Sequence, residues 1–360
     1  MEYKITLPHG GDYAIAYEYF FKKLGYTTVI PPLSSRKSLD IGIKHSPSQA
    51  CFPFKVTLGN IFQGLNDGAN VVAMIGGRTG MCRLAYYSEM YKKILTDNGY
   101  SFEQFPIKLK KEMWHTIKRH QPHIKLLDLI KYSYAFWKKM RLLEILREKC
   151  LFFRAYETKR GSCSQLYKKL RLQIMEADTI SEMSKLKKHI TQQFDMLPKD
   201  MDRDVIKIGV VGEFFLLLDS FSTSNIEEIL GEMGVALEFS ESLSKFLIGS
   251  VKQIRFLDKF FPTKRYKINQ LAKPFINRAI GGHALQTIGH TIHYKKQGFD
   301  AVILLYPFTC MPEITANAIL PKVGEEYNIP ILALCFDEQT GIAGMQTRLE
   351  AFVDMIKRKV

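Results

Sequence analysis

Three of the six cysteines stand where a thiol can do chemistry. Cys51 lies in Ser46-Pro47-Ser48-Gln49-Ala50-Cys51-Phe52-Pro53, Cys82 in Gly76-Gly77-Arg78-Thr79-Gly80-Met81-Cys82-Arg83, and Cys310 in Pro307-Phe308-Thr309-Cys310-Met311-Pro312-Glu313. Each follows turn-forming residues and precedes a stretch with helical spacing. Cys82 and Cys310 also follow apolar runs that read as buried strands. In an open parallel sheet, ligands bind beyond the carboxyl ends of the strands. A thiolate at a helix N-terminus gains from free backbone N–H groups and the positive end of the dipole. The same N–H groups can bond to the sulfides of an iron–sulfur cluster and tune its potential. Spacing alone does not choose a chemistry. There is no C-x-x-C, no dense ferredoxin run and no zinc-ribbon pattern. A mononuclear zinc site would want a nearby His pair. A cysteine nucleophile would want a His and an acid beside it in space.

The other thiols read as packing. Cys150 sits within the helical run Arg147-Glu148-Lys149-Cys150-Leu151-Phe152, and Cys335 in the strand-like Leu332-Ala333-Leu334-Cys335-Phe336. A small buried hydrophobe is the usual role for such residues. Cys163, after Arg160-Gly161-Ser162, is undecided. Arg78 and Arg83 flank Cys82 and are placed either to hold the charge of a bound group or to serve as surface arginines. His283 opens a helix after Gly281-Gly282, placed either to face a bound group or to serve as an ordinary helix-start residue. His9, after Pro8, reads as a cap or core histidine. Tyr86 and Tyr87 read as packing, Glu313 as a favourable charge in a first helical turn, and Arg348 and Glu350 as decoration of the last helix.

These loops need a scaffold, and the patterning supplies one. Residues 3–7, 27–30 and 70–75 are short apolar or β-branched runs, alternating with helical spacing at 13–24, 54–65 and 85–95. Gly25 is placed to cap the first helix. The β-α-β order predicts a parallel sheet covered by helices. Residues 103–200 change character, with Leu126-Leu127-Leu129-Ile130 and Leu142-Leu143-Ile145-Leu146 recurring at helical spacing among Lys and Arg. Alternation resumes with strands at 206–211, 235–239, 301–306 and 331–336 and a closing helix at 344–356. The expected architecture is α/β: two Rossmann-like parallel α/β domains with a basic helical segment between them. The divisions fall at 1–102, 103–204 and 205–360. The order of strand, small-residue loop and Cys occurs at Val71–Cys82 and again at Val302–Cys310.

Composition bounds the rest. The 360 residues carry 51 Lys or Arg against 36 Asp or Glu, a formal +15, with ordinary apolar and charged content. That excludes a disordered chain, a collagen-like chain and a coiled-coil rod. Residues 101–200 hold 22 Lys or Arg against 11 Asp or Glu, so this segment carries most of the excess. It reads as a solvated helical face, or as a surface for an acidic partner or a phosphorylated substrate. No nucleic-acid-binding motif accompanies it. The start at Met1 lacks a basic stretch followed by an apolar one, and no uncharged run approaches the ~18 residues of a membrane span. A cytoplasmic location with reduced thiols is the expectation.

Five stretches, Pro47–Gly59 (PSQACFPFKVTLG), Gly76–Tyr87 (GGRTGMCRLAYY), Gly281–Gly289 (GGHALQTIG), Phe308–Glu313 (FTCMPE) and Phe336–Phe352 (FDEQTGIAGMQTRLEAF), are specific in combination. Together they resemble the 2-hydroxyacyl-CoA dehydratase and benzoyl-CoA reductase iron–sulfur superfamily, closest to its activase-related, D-component-like branch. The resemblance implies α/β domains around a 4Fe–4S cluster held by three thiolates, here Cys51, Cys82 and Cys310. Arg78, Arg83 and His283 would lie near it. A cluster with three thiolates keeps one iron open, able to act as a Lewis acid as well as an electron carrier. Some relatives carry double-cubane clusters instead. The resemblance further implies low-potential electrons from an activase-type ATPase, a paralogous iron–sulfur subunit or a homodimer, and an acyl-CoA substrate. No phosphate loop is found, so no nucleotide is expected on this chain, and neither nucleic acid nor membrane is an expected partner. The competing reading is a non-catalytic binding or assembly module that keeps the scaffold without a cluster.

Overall fold

The computed structural model describes residues 2–74, 86–107, 111–251 and 263–358. They form two compact units, one of residues 1–143 and 174–184, the other of 144–173 and 185–360. The first unit begins with β1 (Lys4–Thr6), α1 (Tyr13–Lys23), β2 (Thr27–Thr28), α2 (Arg36–His45), α3 (Phe52–Asn66) and β3 (Val71–Met74). It continues with α4 (Tyr87–Asp97), β4 (Glu103–Pro106) and α5 (Lys111–His120). All its strand pairs are parallel, in the order β2-β1-β3-β4.

Burial explains this arrangement. The Val-Val-Ala-Met run of β3 is buried throughout, as a central strand covered on both faces must be. Helix α3 is buried around its whole circumference from Phe52 to Leu65, the mark of a helix inside a core, although Lys55, Thr57, Asn60 and Gln63 lie among its apolar residues. Phe54, Leu58, Ile61 and Leu65 pack with Val72, Tyr87, Tyr91 and Leu95. Helices α2 and α3 meet backbone to backbone. A Cβ at Gly42 would strike the carbonyl of Lys55, and one at Gly59 the carbonyl of Ser38. Gly25, at φ +87°, closes α1 as its position in the sequence predicts.

The basic helical stretch comprises α6 (Leu126–Phe153), α7 (Ser162–Glu176) and α8 (Ile180–Asp195), shared between the two units. The second unit then runs β5 (Ile206–Gly212), α9 (Ile226–Glu232), β6 (Val235–Phe239), α10 (Leu243–Val251) and α11 (Lys264–Ala272). It ends with α12 (Ala284–Lys296), β7 (Ala301–Pro307), α13 (Met311–Tyr327), β8 (Ile331–Phe336) and α14 (Ile342–Lys357). Its sheet is again parallel, in the order β6-β5-β7-β8. Within this unit the Glu144 carboxylate accepts the Ser244 N–H at 2.8 Å and its hydroxyl at 2.6 Å, and Arg147 donates to Glu227 at 3.0 Å.

The two parallel sheets bear out the expected α/β class, and β6 and β8 fall where the sequence places them. Helices α10 and α11 are not read from the sequence, and neither are two elements of the first unit. Helix α2 lies among Pro, Ser and charged residues, with only Ser38, Leu39 and Gly42 buried. Strand β4 is a polar edge strand ending in Pro106, anchored by Phe105 alone. Among the described residues, no helix is long and apolar enough to cross a membrane.

Candidate functional site

Both sheets place their first and third strands side by side at the centre, with the chain moving to opposite sides from them. This is the switch point outside whose carboxyl ends open α/β sheets bind ligands. Cys51 and Cys310 both belong to such an edge. Cys51 is the N-cap of α3, the helix that leads into β3. Cys310 is the N-cap of α13, the helix that leaves β7. Each thiol residue is extended (φ −69°, ψ 156° and φ −85°, ψ 95°) and is followed two positions on by a proline, Pro53 or Pro312. Proline suits a first turn because its missing N–H would have had no helical partner. Both cysteines are half-buried. Cys82, Arg78 and Arg83 lie outside the described residues.

In the first unit the Cys51 thiol bonds to the hydroxyl of Tyr87, at the start of α4. The Tyr87 ring meets Phe54 edge-on at 4.7 Å, and Phe54 stacks on Tyr91 at 4.5 Å. Burial pushes the Tyr91 phenol well above its usual range, although Thr57 bonds to it. Tyr87 is thus the wall behind the thiol, whereas its neighbour Tyr86 is exposed. His9 is buried, and its N–H donates to the Asn60 side chain on α3 at 3.3 Å.

The second unit carries acids at the matching edge. The loop after β7 is fixed by the Phe308 N–H to the Phe336 carbonyl and the Cys310 N–H to the Pro307 carbonyl, each at 3.0 Å. One turn into α13, Glu313 is only 1% exposed. Its Oε2 accepts the Thr287 hydroxyl of α12 at 2.8 Å, and its Oε1 has no partner among the described residues. Burial pushes this carboxyl up to about 8, Thr287 works against that, and the charge of Glu213 adds to it. Glu213 is the first residue beyond β5. Its N–H donates to the Leu305 carbonyl at 2.9 Å and its Oε2 accepts the Leu216 N–H at 3.0 Å. Burial pushes it up to about 7 against the N–H groups of Phe215 and Leu216. His283 caps α12 and faces the Phe214 ring edge-on at 5.6 Å. Burial, helped by Arg265, pulls its imidazole down to about 4.

The bland assignment of Glu313 therefore missed its burial, and Glu213 and Thr287 were missed outright. The signal was present: Glu213 is the first polar side chain after a buried strand, the same rule that singled out Cys82 and Cys310. Cys150 and Cys163 are buried and unbridged, with the Cys150 thiol held by Arg154 at 3.3 Å and pushed up to about 12 by burial. Cys335 pairs in register with Tyr306 between β7 and β8. Arg348 donates to the Ala333 carbonyl at 2.7 Å. Among the described residues, no three His, Cys, Asp or Glu side chains are gathered as metal ligands. The donors at these edges are nonetheless soft thiols beside first-turn N–H groups, the chemistry that iron–sulfur clusters take.

Residues 10–73 match a family described as the CoA enzyme activase uncharacterised domain. The matched stretch runs from the loop after β1 into β3 and contains Cys51. It supports a relation to the 2-hydroxyacyl-CoA dehydratase and activase family. No curated protein matches this chain.

Proposed function

We propose that this chain is an iron–sulfur redox protein of the dehydratase and acyl-CoA reductase type, of the D-component-like branch. In this reading Cys51, Cys82 and Cys310 are the thiolates that hold a 4Fe–4S cluster or a double-cubane relative of it. The observation that carries the reading is the shared setting of Cys51 and Cys310, both N-cap thiols at the carboxyl edges of sheets with one strand order. The activase-related match around Cys51 supports the same class. When bound, the cluster supplies a low-potential electron and an open iron site. The protein's own part is to hold and shield. Helices α3 and α13 start at Cys51 and Cys310, so the positive ends of their dipoles favour thiolates there, and the Tyr87 hydroxyl bonds to the Cys51 thiol. His283, neutral at physiological pH, leaves the second edge free of imidazolium charge. Arg78 and Arg83 offset the negative charge of the bound group.

The electron arrives from an activase-type ATPase and leaves to a substrate of the CoA-thioester class. Phe308 (63% exposed), Met311 and Ile314 surround the Cys310 loop with apolar side chains facing water, which supports a covering subunit, a paralogous iron–sulfur chain or a second copy. Leu126, Leu127 (77% exposed), Ile130 and Tyr134 form a second apolar stripe at the start of α6. Exposed Lys125 and Lys131 flank it, which supports transient docking of an acidic ATPase there.

Anaerobic purification followed by absorption and electron paramagnetic resonance tests the reading. The expected protein is brown, with a broad sulfur-to-iron band that bleaches on reduction and a half-integer-spin signal in the reduced state. A colourless protein that takes up no iron on reconstitution with iron and sulfide overturns it, in favour of an assembly module on the same scaffold.

A further inference from the structure

At the carboxyl edge of the second sheet, α12 and α13 enclose a carboxyl group that has too few partners to be an ion. Glu313 is 1% exposed and, among the described residues, has one hydrogen bond, from Thr287, and an oxygen that has none. A buried carboxylate needs a cation or several donors to offset its lost hydration. What stands at the neighbouring strand end is another acid, Glu213, held there by its backbone bond to Leu305. Two like charges at one buried site cannot both form, so such acids share a proton. Glu213 is only half-buried, which connects the enclosed acid to water.

We propose that Glu213 and Glu313 form a proton-sharing carboxyl pair that stores one proton at this edge and delivers it to an oxygen anion of a ligand bound beside Cys310. In the transfer the carboxyl O–H bond breaks and the ligand O–H bond forms. The carboxylate left behind is reprotonated from water by way of Glu213, so no oxidant or reductant enters. The storage of the proton stands on these residues alone, while its delivery rests on the function proposed above, where electron transfer to a carbonyl creates the anion.

The charged surroundings agree. Glu213 stands at the end of β5, and its charge raises the proton affinity of Glu313 on top of burial, while burial alone raises its own. From α12 come Thr287, His283 and His290. Burial holds His283 neutral with help from Arg265 of α11. It holds His290 neutral with help from Lys245 of α10 and Lys264 of α11. Neither imidazole is charged near neutral pH to compensate a carboxylate.

Infrared titration of the full chain, which reads the protonated-carboxyl stretch and needs no bound cluster, tests the pair. The wild-type protein is expected to keep a buried protonated carboxyl at pH 7, and Glu313→Gln to abolish that band. Glu213→Gln should move the Glu313 midpoint to lower pH, since the repelling charge is gone. Thr287→Val should move it to higher pH, since the donor that favours the carboxylate is lost. If Glu313→Gln fails to fold, the opposite shifts of the other two variants decide. A chain with no protonated carboxyl at pH 7, or midpoints that ignore both substitutions, overturns the pair. An iron-free protein that still shows the band ends the proposed function and leaves the pair standing. An iron-loaded protein without the band does the reverse.

Discussion

In the first unit the helix leading into the third strand starts at Cys51; in the second, the corresponding helix starts at His283. Around that substitution much is held in common. Both sheets use one strand order, and both entering helices cross a partner helix at a glycine, Gly59 against Ser38 and Gly289 against Ile268. The edges differ in chemistry. The first offers a thiol backed by phenols, Tyr87 and Tyr91, and the second a thiol beside two carboxyls, Glu213 and Glu313. Backbone arrangement and edge chemistry are thus separable: the glycine crossings belong to the scaffold, and the side chains at the strand ends to function.

The glycine crossings give the largest test of what is shared. Gly59→Ala and Gly289→Ala each push a methyl into a backbone carbonyl that cannot step aside. Each should cost about 2–3 kcal/mol, the range of an overpacked core. Gly341→Ala, with open space around it, should cost almost nothing. Denaturant melts read this directly. Equal stability of all three variants would break the claim that the two crossings are structural equivalents.

The acid edge should show itself in how stability follows pH. Glu313 goes from an ordinary 4.5 to about 8 on folding. Below pH 4.5 it is protonated in both states. From there to about 8 only the unfolded chain releases the proton, so stability falls as pH rises and levels off above 8. His290 works at the other end, from an ordinary 6.5 to about 3. As pH falls through that window only the unfolded chain takes up a proton, so stability falls again. Glu313→Gln should flatten the alkaline limb by roughly 1–2 kcal/mol while leaving the acid limb in place. Superimposable profiles of variant and wild type from pH 5 to 9 would contradict the buried acid.

Two smaller effects sharpen the thiol side. Cys150→Ala removes a packed thiol, and should cost about 1 kcal/mol while leaving iron content unchanged. Tyr87→Phe removes the hydroxyl on Cys51 and should cost up to about 1 kcal/mol. It should change the rate at which Cys51, but not Cys310, reacts with an alkylating reagent, as peptide mass spectrometry can resolve.

Much of this was legible in the sequence because buried parallel strands are locally obvious. The apolar runs of β3, β5, β7 and β8 stand out, and the loops after them are where chemistry belongs, which singles out Cys82 and Cys310; Cys51 stands out as a thiol between turn residues and a helix. Strand β4 was not legible, since its four residues hold one buried side chain and the strand forms only by pairing with β3. Helix α2 hid for a related reason: its fit to α3 depends on glycine contacts between distant residues, which no local pattern records. At the site, Glu313 looked like a helix-start charge because its burial comes from α12, far away in sequence. Only the fold puts Thr287 and Glu213 beside it.

The proposed function has Cys51, Cys82 and Cys310 hold one cluster. Iron and acid-labile sulfide counted per chain, on anaerobic wild-type protein and on Cys51→Ser and Cys310→Ser separately, test it most directly. The wild type is expected to hold about four of each, as one cubane requires, and either variant to lose nearly all of both. Iron retained in full when Cys51 or Cys310 is replaced would contradict it.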